Sequence, residues 1–174
     1  MMRLFALMPM VAALLVPASM ASAAPPPQLY NKTISVGMTV SVNARADDGS
    51  SANLPRSIQR TIYVSTKGRL FSRADRQVGR NATTTDRTPE ETSKNLLFQG
   101  SKLVGVLKFP SGAAQMVVSF DSGFTSCSVN VIFGREGGQN IRFKGLNGKM
   151  YTQQGPFNVS GQSCSIREGN PFAQ

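Results

Sequence analysis

The chain has 174 residues and no histidine, which excludes Ser-His-Asp and Cys-His catalysis and removes the commonest ligand of catalytic zinc. Lysine and arginine number 19 against 9 acidic residues, a formal charge of +10, so anionic partners are favoured over cationic ones. Two cysteines and no tryptophan argue against a metal-cysteine cluster and against an aromatic membrane girdle.

The N-terminus carries Arg3, an apolar run over 4–16 and the small residues Ala21-Ser22-Ala23, the pattern of a cleavable secretory signal. Cleavage after Ala23 is expected, because cleavage one residue later would place Pro25 after the cut. The apolar run contains Pro9 and falls short of the ~20 residues that cross a bilayer as a helix. No later segment reads as a spanning helix, and no cysteine lies near the cleavage site for acylation. Removal of 23 of the 174 residues leaves 151, enough for one domain, and the loss of Arg3 takes the charge from +10 to +9. The expected organisation is a signal peptide over 1–23, a proline-rich extended leader over 24–28 and a single β-rich domain over 29–174.

Residues 33–42 alternate Ile34, Val36, Met38, Val40 and Val42 with Thr33, Ser35, Gly37, Thr39 and Ser41, the period of a half-buried strand. Residues 45–56 are polar, with Asp48-Gly49 and Pro55, and read as a surface loop. Residues 58–65 and 69–76 read as two strands of a hairpin turned by Lys67-Gly68. Residues 80–94 hold almost no apolar side chains and read as a loop. Within that stretch Thr88-Pro89-Glu90-Glu91 matches a capping box, which allows one short helix near 88–97.

Three strands follow, at 103–109, 113–120 and 127–133, separated by Pro110-Ser111-Gly112 and Asp121-Ser122-Gly123. Asn147-Gly148 predicts a hairpin between residues 141–143 and 150–151, and 157–160 reads as the last strand. Short strands at regular spacing, with no helical period, predict an all-β antiparallel sandwich or barrel of roughly eight strands. Cys127 and Cys164, the only thiols of an exported chain, are expected to form a disulfide. The chain-entropy model gives about 4 kcal/mol for closing that loop.

The segment Phe120-Asp121-Ser122-Gly123-Phe124-Thr125-Ser126-Cys127, with Ser163-Cys164-Ser165-Ile166 and Gly169-Asn170-Pro171-Phe172, resembles uncharacterised small exported proteins of Gram-negative bacteria. The resemblance covers most of the mature chain. It implies a periplasmic or secreted setting and carries no activity, so it assigns no site residue.

No nucleophile elbow, phosphate loop or dinucleotide fingerprint is present, and no cofactor, metal site or catalytic residue is expected. The adjacent acids Asp47-Asp48 and Glu90-Glu91 lie in turn-like sequence, and Asp121 is placed to bond the amides of the turn that leads to Cys127. The functional signal is charge. Between Arg56 and Arg87 eight basic residues oppose Asp75 and Asp86, a surplus of six. Within it Arg60, Lys67, Arg69, Arg73, Arg76 and Arg80 are the candidate anion-binding residues, for an acidic polysaccharide, lipopolysaccharide or another polyanion. The competing reading is a solvated strand face kept soluble by arginine. Tyr63 and Phe71 alone are too few for a stacking platform.

These residues predict an exported, non-enzymatic binding or envelope-associated β-domain with no integral membrane segment in its mature form. The alternatives are a periplasmic enzyme using two carboxylates, or a small outer-membrane barrel, which the short strands and sparse aromatics disfavour. The oligomeric state is left open.

Overall fold

The first strand is the axis of the domain. In the computed structural model, which describes residues 23–78, 82–85, 90–91, 96–109, 112–134, 140–145 and 147–173, strand β1 (Lys32–Ala46) runs for 15 residues. The side chains of Ile34, Val36, Met38, Val40, Val42, Ala44 and Ala46 are all buried, Ile34 to Val40 against the second sheet and Ala44 and Ala46 against Tyr151. Strand β2 (Ser51–Val64) pairs antiparallel with it from Lys32↔Val64 to Arg45↔Ser51.

The remaining elements are β3 (Leu70–Val78), β4 (Ala82–Thr85), β5 (Glu90–Glu91), β6 (Leu96–Gln99), β7 (Lys102–Phe109), β8 (Gly112–Phe120), β9 (Cys127–Phe133), β10 (Arg142–Lys144), β11 (Met150–Gln153) and β12 (Asn158–Glu168). They form two antiparallel sheets. The larger follows the order β10-β11-β1-β2-β3-β4, with β12 also pairing β1 and β5 pairing β3; the smaller is β6-β7-β8-β9. Leu96, Phe98, Leu103, Leu107, Ala114, Met116, Val118 and Val129 of the smaller sheet pack on the inward row of β1 and on Ile58, Ile62 and Val64 of β2. The fold is an all-β sandwich.

Cys127 on β9 and Cys164 on β12 are bonded across the two sheets, with their Cα atoms 5.5 Å apart and 37 residues between them in sequence. Near one end of the interface the rings of Phe109, Phe133 and Phe157 pack together, Phe133 stacking on Phe157 at 4.8 Å. A satellite cluster of Ala44, Ala46 and Tyr151 lies where the tip of the β1–β2 hairpin meets β10–β11.

Several expectations need correction. Residues 45–56 are not a loop: β1 continues to Ala46, a turn covers 47–50, and β2 starts at Ser51. Val42, Ala44 and Ala46 continue the buried row, paired with Leu54, Ala52 and Tyr151, so the alternation runs on through alanines too small to mark a strand in sequence. Among the described residues the β2–β3 register ends at Arg56↔Val78, and Pro55 pairs there with Ser41 of β1 alone, which suits a residue without an amide proton.

The helix near 88–97 is also absent where the backbone is described. Glu90–Glu91 pairs with Ser72 and Phe71 of β3, and Leu96–Gln99 forms β6, so pairing to open sheet edges prevails over the capping signal. Residues 82–85, read as loop, pair with β3 as well. The final strand runs to Glu168 rather than Ser160. Its Ser- and Gly-rich stretch lacks an apolar alternation, but it pairs along β1 from Lys32↔Glu168 to Ser41↔Asn158. Gly161 and Gln162 oppose the single residue Met38 there, a bulge carried by Gly161 at φ 61°. Gly37 makes this crossing possible, since a Cβ on it would sit 2.6 Å from Ser163 Oγ and 2.8 Å from Gln59 Oε1. Twelve strands, several of only two to four residues, therefore replace the roughly eight expected among the described residues. Pro27–Leu29 forms one turn of 3-10 helix rather than extended chain, with Leu29 buried in the core.

Candidate anion-binding surface

The β2–β3 hairpin closes over Ser65 to Arg69. The Ser65 amide donates to the Arg69 carbonyl at 2.9 Å, the Gly68 amide donates to the Ser65 carbonyl at 2.9 Å, and the Arg69 amide donates to Ser65 Oγ at 2.9 Å. Gly68, at φ 72°, takes the left-handed position of this turn, and a Cβ on it would lie 2.8 Å from the Tyr30 hydroxyl. Lys67 is left exposed at the tip.

The pleat divides the candidate residues between two faces. Arg60 shares its row with Ile58, Ile62 and Val64, stands opposite Val36 of β1 and Ala74 of β3, and is 9% exposed. Arg76 pairs with Ile58, so its position belongs to that same row. Arg69 and Arg73 project from the outer surface, and Arg80 lies outside the described residues. The sequence signal for this division was present, since Arg56, Ile58, Arg60, Ile62 and Val64 share one parity.

On the outer face distant segments bring further groups to Arg69 and Arg73. The Arg69 guanidinium lies 5.8 Å from the Phe71 ring, and that of Arg73 lies 5.6 Å from the ring of Phe172, near the C-terminus. Tyr63 packs beside Phe71 with ring centres 6.4 Å apart and donates from its hydroxyl to Asn31 Oδ1 at 3.0 Å. Exposed Arg167 of β12 joins the same transverse row, Arg167, Thr33, Tyr63, Phe71. Thr33 Oγ1 donates to the Gly169 carbonyl at 2.7 Å and the Gly169 amide donates to the Asn31 carbonyl at 2.7 Å, which ties the C-terminal segment down beside the row. Arg167 and Phe172 were missed from sequence because about a hundred residues separate them from the hairpin.

A second group of cations lies at the mouth between the sheets. Arg56 and Arg60 of β2, with Ile58 and Ala74, face Val106, Leu107 and Lys108 of β7 across a narrow cleft. Its enclosed space is ≈ 10 Å³, about that of one water.

Asp47, Asp48 and Asp121 are bonded within the fold. Asp47 pairs with Arg142, and Asp48 with Lys149 at 2.9 Å, fastening the β1–β2 tip to β10–β11. Hydrogen bonds from the Ser50 side chain, then from Lys149 and the Ser50 amide, hold the Asp48 carboxyl well below the usual carboxylate range, and Asp48 in turn raises the Lys149 ammonium. Asp121 accepts from the Thr125 hydroxyl at 2.6 Å and from the amides of Thr125 and Ser126 at 2.7 and 3.2 Å, bonds that lower its pKa to about 2, the hydroxyl most strongly. That is the turn-forming role expected for it.

Among the described residues no cluster of three or more His, Cys, Asp or Glu is placed to hold a metal, and no helix is long and apolar enough to cross a membrane. No protein-family model matches the chain, and no curated protein or solved structure is significantly similar to it.

Proposed function

We propose that this protein is an exported, non-enzymatic binding module that attaches to an anionic polymer or surface of the cell envelope, such as an acidic polysaccharide or lipopolysaccharide. The observation that carries the reading is the outer face of the β2–β3 hairpin, where Arg69 lies over the Phe71 ring and Arg73 over that of Phe172, Arg167 stands in the transverse row of Tyr63 and Phe71, and Lys67 is exposed at the hairpin tip. Rings beneath guanidinium groups hold long side chains in place, which lowers the entropy lost when an anion is bound. Arg73 and Arg167 stand on β3 and β12, which are joined through β2 and β1, so their spacing is set by strand ladders, while Lys67 and Arg69 are carried by the hydrogen-bonded β2–β3 turn. An extended polyanion needs such a surface rather than an enclosed pocket, and the enclosed space at the cleft suits one water-sized group only.

The test is salt-dependent retention on immobilised heparin and on immobilised lipopolysaccharide. Changing Lys67, Arg69 and Arg167 together to Gln removes three exposed charges from the proposed face, while changing Arg45, Lys102 and Lys144 to Gln removes three exposed charges elsewhere. The first variant is expected to elute at clearly lower salt than the second, because fewer condensed counterions are released on binding. Equal elution assigns the attraction to net charge and removes the hairpin face as a site.

A further inference from the structure

The outer face of the smaller sheet is aliphatic where that of the hairpin is aromatic. Leu96, Leu103, Leu107, Met116, Val118 and Val129 point into the core, so strand alternation turns Leu97, Val104, Val106, Val117 and Ile132 the other way. The ladders set these five on adjacent transverse rows, Leu97↔Val104↔Val117 in one and Val106↔Gln115↔Ile132 in the next. Val106 is 43% exposed and Ile132 51%, the two most exposed large apolar side chains among the described residues. On β7 the same face carries a lysine to either side of Val104 and Val106, and both Lys102 and Lys108 are exposed. These lysines are the only charged residues in the sequences of β6 to β9, which contain no aspartate or glutamate.

We infer that this face docks on an anionic phospholipid surface, with Val106 and Ile132 entering the boundary between headgroups and acyl chains while Lys102 and Lys108 meet phosphates on either side. Charge selects the occupant. A second copy of the chain on this face would set lysine against lysine with no carboxylate from these strands to neutralise them. Extent points the same way: four strands ~4.8 Å apart, taken from Lys102 to Lys108 at ~3.4 Å per residue, make a face of roughly 450 Å². That is about half of the ~800 Å² that each partner contributes to a standard protein interface. A bilayer needs no matching shape, because it offers apolar depth and fixed negative charge together. An acidic polysaccharide would satisfy the lysines but leave Val106 and Ile132 in water. The inference goes beyond the reading of the hairpin as a polyanion site and does not depend on it, since the outer faces of the two sheets of a sandwich point in opposite directions.

The test is co-sedimentation of the mature, disulfide-bonded protein with vesicles of phosphatidylglycerol and phosphatidylcholine in equal parts, against vesicles of phosphatidylcholine alone. Partition into the anionic vesicles is expected, with little into the neutral ones. Lys102→Gln with Lys108→Gln should weaken it by on the order of tenfold, a few-fold for each lysine held at such a surface. Arg45→Gln with Lys144→Gln, which removes two exposed charges elsewhere, should change it by less than about twofold. Val106→Ser with Ile132→Ser leaves the charge unchanged and should weaken vesicle binding about fivefold, without altering retention on heparin, which carries no acyl chains. The chain has no tryptophan, so an introduced one reports its own surroundings. Emission of Ile132→Trp should shift to the blue on anionic vesicles, and that of Ser165→Trp, on the outer face of the larger sheet, should not. No partition into anionic vesicles, equal shifts at both positions, or binding indifferent to the Val106 and Ile132 changes would overturn the lipid-docking face. A concentration-dependent dimer that those same two changes dissolve would give the face to a second copy and overturn it as well. Unaltered retention of the hairpin variants on heparin bears on the polymer-binding face alone, so the two failures are distinguishable.

Discussion

Cys127 stands on the edge strand of the smaller sheet and Cys164 in the middle of β12, so their bond joins the two layers of the sandwich rather than neighbouring strands of one sheet. It closes the loop containing β10 and β11 and holds β9 against β12, where Gln162 Nε2 also donates to the Val129 carbonyl at 3.3 Å. Changing both cysteines to serine should lower the melting temperature by on the order of 10 °C while the far-ultraviolet spectrum stays that of an all-β protein. Two free thiols in protein purified without reductant would refute the pairing in solution.

The β1 register makes a sharper prediction at adjacent residues. Val40 is 2% exposed and faces the smaller sheet, whereas Thr39 lies on the outer surface with its hydroxyl 3.3 Å from that of Ser57. Val40→Asp puts an unpaired carboxylate into the core and should abolish soluble expression, while Thr39→Asp should remain folded. Comparable yields of the two variants would contradict the assigned face.

The turn at Asp121 should make stability depend on acid pH. Its folded pKa, about 2, lies below the model-peptide value of 3.8, so the unfolded chain binds the proton first as pH falls. The stabilisation is complete above about pH 4 and is lost as pH drops toward 2. Asp121→Asn should therefore melt below wild type at pH 7, and the difference should shrink between pH 4 and 2. A constant difference across that window would mean that the carboxylate charge contributes nothing to the turn.

The N-terminal boundary can be read by mass. The mature protein recovered from the exported fraction is expected to begin at Ala24. Loss of Ala23 removes one bridge, its amide to the Phe98 carbonyl at 3.1 Å, while β6 keeps its ladder with β7 from Leu96↔Gly105 to Gln99↔Lys102. The chain starting at Ala24 should thus melt within a few degrees of one retaining Ala23. Recovery of a species that still carries residues 1–23 would refute cleavage.

Much of the fold could be read from side-chain period. β1 and β7 to β9 show it because each buries one face and exposes the other, and that difference in solvation is written into alternate residues. The Asn-Gly hairpin and the Asp121 turn were legible for a local reason, since their bonds close within a few residues. β12 was not, because its stability comes from the ladder to β1, and backbone hydrogen bonds make little demand on which side chains the strand carries. Short β4 to β6 were hidden likewise by partners that only the assembled sheets supply.

The basic segment was visible as composition, and its parity already implied that Arg56 and Arg60 turn inward while Arg69 and Arg73 turn outward. What only the tertiary structure decided was their company: Gly105 and Lys108 of the opposite sheet beside the inward pair, Phe172 and Arg167 beside the outward pair. The physical reason is range. Strand period acts between residues two apart, whereas the field around a charge is set by whatever the fold brings within several ångströms, here from segments about fifty to a hundred residues away.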